Sequence, residues 1–312
     1  LPILSGWALL LVLLVAWRHR TPGDARLAGW LSLPGLILAA AAFGGLARTG
    51  VHAAGPSLMV SLDAYRYAAG LLLLACAAAA VMLSIPYLER EGITAPEFYP
   101  LVLLATTGML TMVAAADLIV FFLGLETMSV AVYVLAGFDR RSAFSAEAAL
   151  KYFLIGAFAS GFLLYGIALT YGATGTTNLS FIGAQLASAH FSVMAGIGLA
   201  LILVGFAFKV AAFPFHMWAP DVYDGAPTTV TTFMATAVKV AAFIALVRVL
   251  VEAFPSAGEF WQPAVATLAV LTMVFGNLVA LVQRSLKRML AYSAIAHAGY
   301  VLVAVHAQTV AG

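Results

Sequence analysis

The stretch Leu118-Ile-Val-Phe-Phe-Leu-Gly-Leu-Glu126-Thr-Met-Ser-Val-Ala-Val-Tyr-Val-Leu135 holds one charged side chain in 18 positions. A bilayer-crossing helix needs about 20 predominantly apolar residues, and a barrel strand alternates over about 10. The run is continuously apolar, so it predicts a membrane helix over 118–137 and not a barrel strand. Glu126 comes about eight residues into that helix, or about 12 Å at 1.5 Å per residue, which sets a carboxylate near the membrane midplane.

Working outward, similar runs predict helices near 3–17, 28–47, 62–86, 99–116, 148–171, 192–213, 228–251, 263–283 and 289–308. With 118–137 they make ten crossings and an all-α polytopic membrane protein. Composition points the same way. Of 312 residues, 64% are hydrophobic and 9% charged, against about 25% charged in an ordinary soluble domain. Mean hydropathy is +1.05. A soluble globular fold is excluded.

The formal net charge of +2, without a clustered basic face, argues against nucleic acid as a partner. The lone Cys76 excludes an internal disulfide, a Cys-rich metal site and an iron–sulfur site. Redox chemistry connected with the chain is therefore expected in a partner. Leu1 to Trp17 is expected to be a first membrane helix and not a signal peptide, because Arg18, Arg20 and Arg26 follow the apolar run instead of preceding it. The chain lacks an initiator Met and stops just after an apolar run, so it reads as a piece of a longer protein.

Alternate connections share a side of the membrane. One side carries Arg18, Arg20, Arg26, Arg90, Arg140, Arg141, Arg284, Lys287 and Arg288, and the other Arg48 and Arg66. The positive-inside rule then places the N-terminus outside, with loops 18–27, 87–98, 138–147, 214–227 and 284–288 in the cytoplasm. The polar connection Gly172–Gln185 is expected to be a turn-rich external loop. Its glycines lack the Gly-Lys-Ser/Thr ending and strand context of a phosphate loop. Gly156 with Ser160, and Gly161 with Tyr165 and Gly166, are small-residue spacings that indicate helix packing.

The charges inside apolar helices are the candidate functional residues. Of four lysines in the sequence, Lys209 and Lys239 lie within such runs. Each charge at a membrane centre costs about 2.5–3.5 kcal/mol on insertion scales, so Glu126 and the two lysines need a compensating role. An ion pair alone does not supply one, since a buried pair is often no better than well-packed apolar side chains. One carboxylate and two amines also leave a lysine that must lose its charge or find polar partners. Groups held between charged and neutral forms suit a proton or cation path. Lys151 opens a helix and can serve that path or snorkel to the interface. His216, His297 and Asp221 lie near helix ends, where each suits either a proton relay or an interfacial polar contact. Asp117, Arg248 and Glu252 are expected to be solvated, and Asp63 to pair with Arg66. Pro214, five residues after Lys209, is expected to break its helix, as a wet ion path requires.

Four segments carry a family resemblance: Phe121-Phe-Leu-Gly-Leu-Glu126-Thr-Met-Ser, Glu147-Ala-Ala-Leu-Lys151-Tyr-Phe, Phe208-Lys209-Val-Ala-Ala-Phe-Pro-Phe-His216-Met-Trp-Ala-Pro-Asp-Val-Tyr-Asp-Gly-Ala-Pro-Thr, and Leu286-Lys-Arg-Met-Leu-Ala-Tyr-Ser-Ala-Ile-Ala-His297-Ala-Gly-Tyr. Together they resemble the antiporter-like subunits of proton-pumping NADH:quinone oxidoreductase, respiratory complex I. Met-Ala-Thr-Ala-Val-Lys239-Val-Ala-Ala-Phe is most similar to the subunit N branch, also called subunit 2, rather than to the L and M branches or Mrp antiporters.

The resemblance implies an antiporter-like fold of about fourteen helices, with two inverted five-helix repeats and a polar axis along the membrane middle. The implied layout is residues 1–98 as helices 1–3, 99–253 as the first repeat with broken helix 7, and 254–312 as the start of a truncated second repeat. It makes Glu126 the charge on the fifth helix, Lys151 the lysine opening the sixth, Lys209 the one on the seventh and Lys239 the one on the eighth. It also implies a proton-translocating membrane-arm subunit in a bacterial cell membrane. Its partners would be other complex I subunits, the lipid bilayer and protons. It would carry no cofactor or metal of its own, NADH and quinone being used elsewhere in the complex. The alternatives are an Mrp-type cation/proton antiporter, a membrane-hydrogenase subunit or a non-transporting helical scaffold.

Overall fold

The computed structural model of the protein describes residues 1–18, 22–50, 59–93, 95–188 and 191–307. Its helices in chain order are α1 (Pro2–Trp17), α2 (Pro22–Arg48), α3 (Ala64–Arg90), α4 (Phe98–Ala114), α5 (Leu118–Ala136), α6 (Ala143–Thr174), α7 (Leu179–Ser188), α8 (Val193–Val210), α9 (Trp218–Gly225), α10 (Thr228–Phe233), α11 (Lys239–Ala253), α12 (Gly258–Ala280) and α13 (Leu286–Ala307). A π turn, Met234–Val238, joins α10 to α11 without interruption. Among the described residues, extended pairing is confined to two isolated bridges, Val60 with Ala115 and Asp117 with Asn178.

Among the described residues, eight segments are long and apolar enough to cross a membrane, with α10, the π turn and α11 counted as one. The other two predicted crossings are α1 and α4, at 16 and 17 residues. The chain is an all-α multi-pass membrane protein. Its outward side chains fit that environment: α6 exposes Phe144, Leu154, Phe158 and Tyr165, an apolar surface that suits lipid. Arg20, one of the nine basic residues in the orientation argument, lies outside the described residues, as does the predicted helix end at 308.

The first of two compact units comprises Leu1–Ala115, Val120–Leu150 and Gly225–Ala241. In it α1 packs on α2 and α4, and α3 on α2, α4 and α10. The Trp7 indole donates a hydrogen bond to the Leu31 carbonyl at 2.7 Å, tying α1 to α2. Asp63 accepts a hydrogen bond from the Arg66 backbone N–H at 2.7 Å and so caps α3. The Arg66 guanidinium donates to the Ser61 carbonyl at 2.8 Å and lies 5.7 Å from the Phe43 ring centroid. The closest approach of α4 and α5 is made by Gly108 and Gly124. A Cβ built on Gly108 would lie 2.4 Å from the Met128 nitrogen, so only hydrogen permits this contact.

The second unit comprises Ala116–Ile119, Lys151–Asp224 and Ala242–Gly312. The pair α6 and α8 meets at Gly166 and Gly198, where a Cβ on Gly166 would be 2.7 Å from the Gly198 oxygen. Of the predicted small-residue contacts, Gly166 makes one, whereas a Cβ on Gly161 would have no neighbour within 4 Å. Helices α12 and α13 form a hairpin whose close points are Gly276 on Ala296 and Gly299 on Met273.

The loop expected over Gly172–Gln185 contains α7 instead. Leu179, Ile182, Gly183 and Leu186 are its buried residues, spaced i, i+3, i+4 and i+7, a narrow helical stripe in an otherwise polar stretch. Asn178 starts it by accepting a hydrogen bond from the Phe181 N–H at 3.3 Å. The solvated reading of Asp117 and Arg248 also fails. Asp117, 6% exposed, accepts hydrogen bonds from the Ile119 N–H at 2.8 Å and the Thr177 hydroxyl at 2.6 Å. Arg248, 4% exposed, donates to Glu252 at 2.7 Å one turn later. Burial at a helix end is tolerated here because local partners satisfy the charge.

Candidate functional site

The break after Lys209 begins earlier than Pro214. Helix α8 ends at Val210, and Ala211 takes the left-handed conformation at φ 59° and ψ 44°. The Ala212 N–H donates to the Ala207 carbonyl at 2.8 Å, and the Ala211 N–H to that of Phe208 at 3.0 Å. This is a Schellman termination with alanine where glycine is usual. The chain leaves helical geometry ahead of the proline because a residue preceding proline is disfavoured in the α region.

Freed backbone groups in the break find partners from other elements. The Phe213 N–H donates to the Thr272 hydroxyl of α12 at 2.9 Å. The Phe208 carbonyl, already an acceptor for the Ala211 N–H, also accepts from the Trp218 indole at 3.0 Å. Helix α9 then resumes at Trp218, inside the stretch expected to be a loop. Lys209 therefore stands in the last turn of α8, where the helix dipole favours a cation, and is only 3% exposed.

An aromatic stack begins beside that lysine. The Tyr152 ring of α6 lies 5.6 Å from the Lys209 ammonium, measured to its centroid. Tyr152 stacks on Trp218 at 4.4 Å with 9° between the planes, and Trp218 meets Tyr223 edge-on at 5.9 Å. Tyr152, Trp218 and Tyr223 are all buried.

Lys151, one residue before Tyr152, makes a different contact. Its ammonium donates to Asp221 at 2.9 Å, and Arg288 of α13 donates to the other oxygen of the same carboxylate at 2.7 Å. All three side chains are about one-third exposed or more, so each pair contributes at most about 1 kcal/mol. Burial raises the Asp221 carboxyl, but the hydrogen bonds and charges of Lys151 and Arg288 outweigh it and hold the group below its ordinary value of 3.8. Alongside, Asp224 accepts from Ser285 at 3.0 Å, and its carbonyl accepts from Lys287 at 2.8 Å. The start of α13 thereby straps α9 in place.

The remaining candidates are dispersed. His216 is half-buried between Phe213, stacked at 5.3 Å, and Tyr292, edge-on at 6.4 Å. Burial lowers its imidazole, against a smaller opposite effect from the Pro214 backbone. His297 is exposed on α13, edge-on to Tyr300 at 5.3 Å. In the first unit, Glu126 is half-buried on α5 two residues beyond Gly124. Lys239 is 6% exposed and opens α11 directly after the π turn, a helical irregularity that recurs at functional positions. Among the described residues no group of three or more His, Cys, Asp or Glu side chains could hold a metal ion.

A family profile described as NADH:quinone oxidoreductase/Mrp antiporter, transmembrane, matches residues 115–312. The chain belongs to that family. Among curated members of the NADH:quinone oxidoreductase/Mrp antiporter family, it is 49% identical over 311 residues to NADH-quinone oxidoreductase subunit N 2 of Roseiflexus castenholzii, covering 98% of this chain and 61% of the relative. It is 50% identical over 320 residues to subunit N of Gemmatimonas aurantiaca, covering 99% and 61%. The chain thus spans about three-fifths of the length of these curated relatives. A chain in the structure of respiratory complex I from Thermus thermophilus matches with a TM-score of 0.78 and 40% identity, over 97% of this chain and 63% of that one. An Mrp complex chain from Dietzia sp. shares the fold, with a TM-score of 0.82 at 23% identity over 97% and 58%.

The sequence marks the charged candidates and not the residues packed around them. Tyr152 and Trp218 stood inside quoted segments, but nothing local marked them as neighbours of Lys209. Arg288 was counted only as a loop charge, although it shares Asp221 with Lys151.

Proposed function

We propose that the chain is the N-terminal part of subunit N of a bacterial NADH:quinone oxidoreductase. In this reading it helps move protons across the membrane while NADH oxidation and quinone reduction occur in other subunits. The observation that carries the reading is Lys209, a lysine 3% exposed at the broken end of a membrane helix. Support comes from subunit N relatives at 49% and 50% identity. The Mrp likeness at 23% identity supports the fold alone.

In this mechanism Glu126, Lys151, Lys209 and Lys239 exchange protons along the membrane interior, with His216 and His297 as further relay positions. An approaching carboxylate stabilises a charged lysine, and its withdrawal or a nearby cation favours release. Moving one charge against 100 mV takes about 2.3 kcal/mol, and one pKa unit is about 1.4 kcal/mol, so coupled shifts of one to two units suffice per step. Interacting groups titrate as a set. The reading includes residues 1–98 as three leading helices, 99–253 as the first repeat and 254–312 as the start of the second. It places the N-terminus outside, with the other membrane-arm subunits as partners.

The test is Glu126→Gln in the complete subunit within its assembled complex. The change keeps shape and removes only the titrating charge, so assembly should persist while vesicle acidification and coupled quinone reduction fall. Acidification at the wild-type rate in an assembled complex would overturn the reading.

A further inference from the structure

We propose that Tyr152 is a positioning residue for Lys209, its ring holding the ammonium form in place at the broken end of α8. The inference rests on Lys209 being a proton carrier and adds how its charged form is accommodated in a buried site. Three observations carry it. The ammonium lies 5.6 Å from the Tyr152 ring centroid, within the range in which an aromatic face attracts a cation. Tyr152 is fully buried, where that attraction is strongest because water does not compete. The ring is also fixed: Trp218 stacks on it at 4.4 Å, and the Trp218 indole is anchored on the Phe208 carbonyl at 3.0 Å.

The anchoring carbonyl belongs to the residue just before Lys209, and it accepts both the Ala211 N–H that closes the helix end and the Trp218 indole. The break, the tryptophan, the tyrosine and the lysine therefore form one mechanical chain. If α9 shifts, Trp218 shifts with it, and Tyr152 loses the stacking partner that fixes its ring beside the ammonium. The amine form has no comparable attraction to the ring, so the contact discriminates between the two protonation states. Lys151, the neighbour of Tyr152, is separately held by Asp221 on the same α9 segment. A movement of α9 would thus reach both lysines.

The experiment uses the full-length subunit in its assembled complex and compares Tyr152→Phe, Tyr152→Leu and replacement of Tyr152 by 3,4,5-trifluorophenylalanine. Proton pumping is read by acidification of inverted vesicles, and assembly by migration of the intact complex on a native gel together with the other membrane-arm subunits. Phenylalanine keeps the aromatic face and should retain near wild-type pumping. Leucine and the fluorinated ring should reduce pumping about tenfold with assembly intact, the fluorinated ring keeping nearly the same shape but lacking the negative face. Equal pumping by the phenylalanine and trifluorophenylalanine proteins would show that the ring only fills space and would overturn the inference. Loss of pumping in Tyr152→Phe would overturn it too, by assigning the role to the hydroxyl. Lys209→Met separates the two levels. If it pumps normally, the proton-carrier reading fails and this inference with it; if it is disabled while the fluorinated protein is normal, only the role of Tyr152 fails.

Discussion

Replacing Gly108 by alanine puts a methyl where α4 and α5 meet backbone to backbone. The added Cβ would lie 2.4 Å from the Met128 nitrogen, 2.7 Å from the Gly124 oxygen and 2.9 Å from the Met128 Cα. Ordinary carbon contacts begin near 3.4 Å, so relief needs α5 to retreat by about 1 Å, since no side-chain rotation can move a backbone atom away. Overpacking of this kind costs about 1–3 kcal/mol. The functional cost is expected to be larger. Glu126 rides on α5 two residues past Gly124, and a misplacement of about 1 Å at a reacting group can cost about 100-fold in rate. The matched control is Gly161→Ala on α6, where the new methyl has no neighbour within 4 Å. There the better helix propensity of alanine should give about 1 kcal/mol of stabilisation. Both variants are to be compared in the assembled complex by thermal unfolding and vesicle acidification. Gly108→Ala should unfold at lower temperature and lose most coupled pumping, with Gly161→Ala at least as stable as the wild type and normal in pumping. Matching stability and pumping in the two variants would refute the claim that glycine contact sets the position of Glu126.

Lys209→Met should abolish coupled activity more severely than Lys209→Arg, because arginine keeps the charge but does not readily release a proton. Normal pumping by both in an assembled complex would move the path to Lys239 or Lys151. Asp221→Asn removes the carboxylate shared by Lys151 and Arg288 and should loosen α9, seen as faster proteolysis or hydrogen exchange over residues 218–225. Unchanged exchange there would count against the strap. Because the folded Asp221 carboxyl lies below its ordinary value of 3.8, its stabilising contribution is present above that value and is lost as pH falls through the lower, folded one. An acid titration of the wild type should therefore show extra exchange over 218–225 that is absent on going from neutral to acid in Asp221→Asn. For the topology, Ala143→Cys, introduced with Cys76→Ser, should be labelled by an impermeant thiol reagent only from the cytoplasmic side. Labelling from outside would invert the orientation of every helix.

The crossings were legible in the sequence because the signal is local. A run such as 118–135 must bury its backbone polar groups in helical hydrogen bonds wherever it sits in lipid, so continuous apolarity determines both helix and membrane. The same locality exposed Glu126, Lys209 and Lys239, since a charge in an apolar run is conspicuous without knowledge of its neighbours. Helix α7 was hidden because its four-residue buried stripe is too short and too mixed to stand out beside long membrane runs. Arg248 was misread because a position near a helix end says nothing about what packs over it. The surroundings of the lysines belong to the tertiary structure alone. Tyr152 comes next to Lys151 in the chain, yet a rotation of about 100° per helical residue sends one to the aromatic stack and the other to Asp221. The partners of Lys151 and Lys209 come from α9 and α6, more than 50 residues away in the chain, and pairings at that distance are set by how the helices pack, not by any pattern along the chain.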